Sequence, residues 1–299
     1  MKKVIGIDIG GTKINASLID EEGNIIDKKE VPTEADKGRD AVLNNIKDVI
    51  YALDYKEAEA IGIGTPGFID SENGIVTFAG NIKGWTGLNL KEAVESFVDL
   101  PVFVENDANI ALVAEKWIGA AKDYDNIVMI TLGTGLGGAV YSDGQMLRGS
   151  NFQGAELGHL ILYPGGRHCT CGQNGCAEAY CAGSALGREY EEITGKKLSG
   201  KEVFALVDTD DTAKEVLAHY ESNLGHYLTS LRNIFDPQVI VVGGGVIASK
   251  DIFWDGMIEK FKEYCNKPET VDIIPAKFLN NAGVIGAAKV AFERINNGK

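Results

Sequence analysis

The sequence predicts an α/β protein made of two similar halves with a cleft between them. Three observations carry that expectation. The chain opens as a meander, VIGIDI, INASLID and IIDKKEV, broken by the turns GGTK and EEGN. A second meander begins near residue 126, with NIVMITL followed by AVYSDGQML, and it too has a glycine-rich turn after its first strand. Helical periodicity alternates with these strands. No literal repeat is visible, so the duplication rests on pattern alone.

Taken in order, the first meander gives way to a helix over 37–54, where Val42, Ile46, Val49 and Ile50 share a face. AIGIGT (60–65) reads as a buried strand. PVFVEN (101–106) is another, and it runs into a helix over 107–119 with Ile110, Val113, Ala114 and Trp117 on one side. NIVMITL (126–132) begins the second meander. Residues 150–180 are irregular and rich in Gly and Cys. The chain is then mostly helical except for PQVIVVGGGV (237–246), a strand ending in glycines. Helices follow at 251–265 and 282–295 with the strand VDIIPA between them. The division expected is 1–120 and 121–299, with the last helix returning to the first half.

At 299 residues the chain can bury substantial cores. A net charge of −14 argues against nucleic acid as a main partner. No apolar run is long enough to span a bilayer, and the N-terminus lacks the pattern of a signal peptide, so the expectation is a cytoplasmic protein without a membrane partner. Five cysteines, an odd number, argue against a disulfide framework, and Cys169, Cys171 and Cys176 within eight residues point to a metal.

TLGTGLGG (131–138) contains Gly133, Gly135 and Gly138 at GxGxxG spacing. A dinucleotide loop must open a helix. Here Val140 and Tyr141 continue an extended pattern into the turn Ser142-Asp143-Gly144, so the glycines join two strands. DIGGTK (8–13) is a similar strand–strand turn. Gly10 and Gly11 can point backbone N–H groups at phosphate oxygens, Thr12 and Lys13 add a hydroxyl and a charge, and Asp8 suits Mg²⁺. An ordinary hairpin turn is the competing reading. VGGGV (242–246) lets the backbone approach a flat ligand through Gly243, Gly244 and Gly245, or packs a strand closely on a helix. The absence of GxxxxGK[ST] and of HRD or DFG excludes P-loop NTPases and protein kinases.

With VENDAN (104–109), GAELGH (154–159) and CTCGQNGCAE (169–178), these stretches together resemble the ROK family of bacterial sugar kinases and sugar-responsive repressors, over nearly the whole chain. The resemblance implies two actin-like, ribonuclease H-like domains closing on ATP and a sugar. It makes TLGTGLGG the second phosphate loop, with Thr131, Gly133, Thr134, Gly135, Gly137 and Gly138 beside the nucleotide. It also implies Mg²⁺ and a homodimer or larger homo-oligomer.

Asp107 stands where a strand meets a helix, a position at which Asn106 or Asp107 could simply cap the helix. The resemblance makes it the general base. A carboxylate can aim a sugar hydroxyl at the γ-phosphorus and take its proton late in a loose transition state. His159, Cys169, Cys171 and Cys176 form a closed zinc set, structural because no ligand position is left for water. His168 is a rival ligand, and the family pattern favours His159. The carry-over also places Gly67, Asn81, Asn106, Asp107, Glu156, His159 and Glu178 around the sugar. His159 could serve twice, with one nitrogen on zinc and the other on a hydroxyl. Gly80 replaces the proline that the family's glucokinases often carry before that asparagine.

The leading expectation is an ATP-dependent hexose kinase making glucose 6-phosphate. An N-acetylmannosamine or other hexose kinase is the alternative. A repressor would need a DNA-binding segment ahead of DIGGTK, and a sugar-free actin-like ATPase would not need the sugar set or the zinc cluster.

Overall fold

The computed structural model describes residues 1–298, which form two units. The first comprises 1–122, 148–154 and 280–299; the second comprises 123–147 and 155–279. The short segment 148–154 thus joins the first unit, although the sequence reading placed it in the second half.

In the first unit, β1 (Lys3–Ile9), β2 (Lys13–Asp20) and β3 (Ile25–Pro32) form the antiparallel meander. A short 3-10 turn precedes α1 (Arg39–Tyr51), so the helix is shorter at both ends than its periodicity suggests. The strand β4 (Ile61–Thr65) pairs parallel with β1. A small hairpin, β5 (Phe68–Asp70) and β6 (Ile75–Phe78), and the helix α2 (Leu90–Glu95) follow β4. Parallel β7 (Val102–Asn106) closes the sheet, in the order β3-β2-β1-β4-β7, and leads directly into α3 (Asp107–Ile118).

The second unit repeats this plan. Its strands β8 (Ile127–Leu132), β9 (Leu136–Ser142) and β10 (Gln145–Met146) form the meander. Five helices include α4 (Glu178–Cys181), α5 (Gly183–Thr194), α6 (Gly200–Leu206) and the long α7 (Asp211–Phe235). Parallel β11 (Val239–Gly243) is followed by α8 (Lys250–Tyr264) and then by parallel β12 (Asp272–Pro275). The sheet order is β10-β9-β8-β11-β12, the same connectivity as the first. The last helix, α9 (Ala282–Asn296), belongs to the first unit.

Each unit has its own core. In the first, Ile5, Ile7, Ile9, Ile61 and Ile63 pack with Val42, Ile46 and Ile50 of α1. The other face of that sheet carries α9. A Cβ at Gly6 would lie 1.9 Å from the Val284 carbonyl oxygen, and one at Gly62 would lie 1.8 Å from that of Ala287. The two glycines therefore set how closely the helix sits on β1 and β4. In the second unit, Val128, Ile130, Ile240 and Val242 pack with Tyr220, Leu224, Tyr227, Phe253 and Met257. No described helix is long and apolar enough to cross a membrane.

Candidate active site and metal centre

In the first unit, DIGGTK is the turn between β1 and β2. Gly10 N–H donates to the Lys13 carbonyl at 3.0 Å, and buried Thr33 pins the turn from outside, its hydroxyl donating to Gly10 O at 2.6 Å. Among the described residues the N–H groups of Gly11 and Thr12 have no protein acceptor. Two adjacent free donors on an exposed turn are what an anion nest requires. Lys13 pairs with Glu30 at 2.8 Å; both side chains are about half exposed, so the pair is weak and easily exchanged for a phosphate.

Asp8 lies at the end of β1, opposite Asn15 and Gly64 in the sheet. Gly283 of α9 approaches so closely that a Cβ there would lie 2.3 Å from the Asp8 carboxyl carbon. Desolvation, and then repulsion from Asp107, push the Asp8 carboxyl up to about 6. It makes no hydrogen bond or ion pair among the described residues. A crowded carboxylate without a donor, facing a second carboxylate, fits a hard divalent cation such as Mg²⁺.

Asp107 is the first residue of α3, and it is not the cap. Asn106 caps the helix, its Oδ1 accepting from the N–H groups of Ala108 at 2.9 Å and Asn109 at 3.1 Å. Asn106 Nδ2 also donates to Gly67 O at 2.9 Å, fastening the turn between β4 and β5 to the helix start. That leaves Asp107 exposed, with one carboxylate oxygen on the Ala108 N–H. Although one face of the side chain meets solvent, the chain packed around its carboxyl desolvates it and raises it above the ordinary range, while the Ala108 N–H, its own N–H and Asn106 pull the other way.

Gly67 has φ of +108°, and a Cβ there would meet the Phe78 carbonyl oxygen at 2.2 Å, so the loop requires glycine. Asn81 is exposed on a loop anchored by buried Trp85, whose indole N–H donates to Thr65 Oγ1 at 3.0 Å. The Phe68 ring lies against that of Phe78, with centroids 5.6 Å apart. Sequence reasoning missed Glu105. This buried carboxylate accepts from Arg148 at 2.8 Å and from the Asn109 amide at 3.0 Å, bracing the junction of β7 and α3. Its partner lies 43 residues away, and no local pattern signals the pair.

In the second unit, TLGTGLGG is a hairpin between β8 and β9, with Thr131 opposite Gly137 and Ile130 opposite Gly138. Gly133 N–H closes the turn on Gly135 O at 2.9 Å. The start of α5 holds it from behind: Gly183 N–H donates to Gly133 O at 2.8 Å, and the Ser184 hydroxyl donates to Thr134 O at 2.7 Å. Among the described residues the N–H groups of Thr134 and Gly135 are left without a protein acceptor.

The three glycines after β11 divide by role. A Cβ at Gly243 would crowd the Met129 side chain, and one at Gly244 would lie 2.3 Å from Leu132 O; Gly244 also has φ of +86°. Gly245 meets nothing and opens onto a cavity of about 820 Å³. Gly133, Thr134, Ser184, Leu186, Phe204 and Val246 also line it, with Arg188, Lys197 and Lys201 as cations. The volume and mixed lining suit a nucleotide. Its α5 and α6 walls escaped the sequence reading, because they carry no compact motif.

The side chains of His159, Cys169, Cys171 and Cys176 bring their ligand atoms within 4.8 Å of one another. Cys171 Sγ and Cys176 Sγ are 3.6 Å apart, and Cys169 Sγ lies 3.7 Å from His159 Nδ1. A tetrahedral zinc with ordinary bond lengths would separate two sulfurs by about 3.8 Å, and sulfur from nitrogen by about 3.6 Å. The donor set therefore fits zinc. Desolvation opposes ionisation of Cys171, but hydrogen bonds from the Gln173 backbone and side chain prevail and hold its thiol down to about 7. His168 instead faces Asn174, its Nδ1 3.2 Å from Oδ1.

His159 ends a short 3-10 turn that begins after Glu156, and its Nε2 lies 3.9 Å from a Glu156 carboxylate oxygen. Glu178 binds Thr170 of the cysteine loop at 3.4 Å through one oxygen and the Leu136 N–H at 3.0 Å through the other. One carboxylate thereby ties the cysteine loop to the glycine hairpin.

The ROK family model matches residues 4–294. The glucokinase of Thermotoga maritima is 35% identical, over 98% of this chain and 98% of its own. The crystal structure of a ROK hexokinase from Thermus thermophilus superposes with a TM-score of 0.89 at 36% identity, covering 99% of this chain and 100% of that one. A ROK glucokinase from Streptomyces griseus, in complex with glucose and AMPPNP, gives 0.84 at 33% identity, over 97% and 99%. The fold is that of the actin-like ATPases, and the chain belongs to the ROK family.

Proposed function

We propose that this chain is an ATP-dependent hexose kinase that phosphorylates the 6-hydroxyl of glucose in the cytoplasm. The observation that carries the reading is Asp107: a carboxylate at the start of α3, relieved of capping by Asn106 and raised toward basicity beside Asp8. In this reading Asp107 accepts the hydrogen bond of the sugar hydroxyl, orients its oxygen and takes its proton as the phosphoryl group moves. Gly67, Asn81 and Asn106 shape the sugar pocket, and Glu156, His159 and Glu178 contribute hydroxyl partners.

The free N–H groups of the two glycine turns would bind phosphate oxygens, and the 820 Å³ cavity would take the nucleoside. Asp8 would hold Mg²⁺, which neutralises charge on the phosphates. Zinc on His159, Cys169, Cys171 and Cys176 would fix the loop that carries Glu178. With Nδ1 turned toward the thiols, His159 presents Nε2 to a sugar hydroxyl.

A coupled ADP-release assay across glucose, mannose, fructose, N-acetylglucosamine and N-acetylmannosamine tests the proposal. Glucose is expected to be best by kcat/KM. N-acetylmannosamine should be at least about tenfold poorer, or ~1.4 kcal/mol. Faster turnover of N-acetylmannosamine at equal low concentration would remove glucose from the proposal, and no turnover of any sugar would remove the kinase.

A further inference from the structure

A second cavity, of about 320 Å³, lies within the first unit, lined by residues that carry none of the roles above. Its walls come from Ser71 and Gly74 in the β5–β6 turn, Lys91 of α2, Val102 and Val104 of β7, and Arg294 of α9. Three neighbouring elements and the distant α9 thus converge on one small space, at the lower end of the volumes that hold small ligands.

Apart from exposed Glu72, the polar side chains facing it are donors. Ser71 is 7% exposed, and its hydroxyl has no hydrogen-bond partner among the described residues. Arg294 is partly buried and makes no ion pair among the described residues. One of its nitrogens donates to Ser71 O at 3.2 Å, which anchors the guanidinium and leaves the rest of its fork of N–H groups uncommitted.

The strand contributes too. β7 is the edge of its sheet, and the Ile61 N–H bonds to Pro101 O, so odd-numbered groups of β7 face β4. The N–H groups of Val102 and Val104 therefore face outward, as the bond from Val102 to Glu95 Oε1 at 3.0 Å confirms. That of Val104 has no partner among the described residues.

The nearby acids do not cancel these donors. Glu95 is taken by Lys91 at 2.9 Å and by the Val102 N–H. Glu72 also lines the cavity but is exposed, where water screens its charge. What remains is an uncompensated guanidinium, a buried hydroxyl and an edge N–H, the donor set of an oxyanion site.

We propose that this cavity binds a small oxyanion, phosphate or a phosphate monoester, between Arg294, Ser71 and the edge of β7. The test uses the full chain, in a chloride buffer at constant ionic strength, and reads thermal stability against inorganic phosphate for the wild type, Arg294→Gln and Ser71→Ala. Wild type is expected to show a saturable rise in melting temperature, and each variant at least about a tenfold weaker apparent affinity. A parallel series with glycerol 3-phosphate tells the free ion from an esterified one, and either ligand, weakened by both variants, supports the site.

Should Arg294→Gln fail to fold, Ser71→Ala decides alone. Equal affinities in wild type and Ser71→Ala would overturn the proposal, as would a wild type that neither phosphate nor glycerol 3-phosphate stabilises more than chloride does. Because the readout is binding, it stands or falls independently of sugar phosphorylation.

Discussion

Glu178 accepts the backbone N–H of Leu136 at 3.0 Å, so the first residue of α4 holds the first residue of β9 in place. The contact leaves no room for a side chain next door: a Cβ on Gly135 would lie 2.6 Å from the same carboxylate oxygen. Glu178→Ala strands the Leu136 N–H in a part-buried position, which costs about 1–3 kcal/mol. Sugar phosphorylation should fall by about tenfold or more. Glu178→Gln, which keeps an acceptor, should recover most of the stability and less of the activity. Thermal melts and steady-state kinetics on the two variants separate the structural role from the sugar contact. Equal activity in all three proteins would remove Glu178 from the site.

Asp107→Asn should lower turnover by roughly 10²-fold or more, the scale of a lost general base. Because Asn106 supplies the cap, the helix start should survive. The melting temperature should hold or rise, since repulsion between Asp107 and Asp8 is relieved. Sugar affinity, measured by calorimetry, should change little. Turnover within a few fold of wild type would end the assignment.

Metal analysis after exhaustive dialysis should find about one zinc per chain. Cys171→Ser should lose the metal and much of the activity, because the loop then no longer positions Thr170 against Glu178. Full activity in metal-free protein would exclude the structural role.

Glu221 on α7 is wedged against Gly256 of α8, where an added Cβ would lie 2.2 Å from its carboxyl carbon. Desolvation, then repulsion from Glu259, push its carboxyl from 4.5 to about 7, against a weaker pull from Lys260. The folded chain thus holds this proton more tightly than the unfolded chain does. Its contribution is complete below pH 4.5 and is lost as pH rises to about 7, a change that solvent screening of this half-buried group holds to about 1–2 kcal/mol. Glu221→Gln should therefore raise the melting temperature at pH 8 and barely alter it at pH 5. A gain equal at both values would show that ionisation is not the cause.

Arg148→Ala leaves Glu105 buried without its cation. Loss of one partner of a buried pair costs about 3–5 kcal/mol, and partial exposure of Arg148 reduces that to about 2. Urea unfolding should show the loss, and Glu105→Gln on the Arg148→Ala background should restore part of it.

Strand alternation and helix periodicity made the two meanders and the flanking helices legible, because both signals are local. The hairpin β5–β6 and α2 were not: each strand is four residues or fewer, and Pro66, Gly67, Gly74 and Gly87 punctuate the stretch as a loop. The cysteine cluster was legible because its ligands lie within eighteen consecutive residues. The choice between Asn106 and Asp107 as cap needed side-chain geometry. Thr33 behind the first glycine turn, Arg148 beside Glu105 and the α5–α6 wall of the large cavity come from distant segments, and a single sequence does not show which ones the fold brings together.

The seating of α9 on Gly6 and Gly62 has a consequence for synthesis. The helix that covers one face of the first sheet begins about 176 residues after β7 completes that sheet. At ordinary elongation rates that delay is roughly 10 to 35 seconds. During this time β1 and β4 have their partner strands but lack their lid, exposing a flat strip narrowed by glycine. A nascent chain in that state is open to chaperone capture and to pairing with its neighbours. A chain cut short before residue 282 would stay there permanently, and its defect would surface as aggregation rather than as slow catalysis.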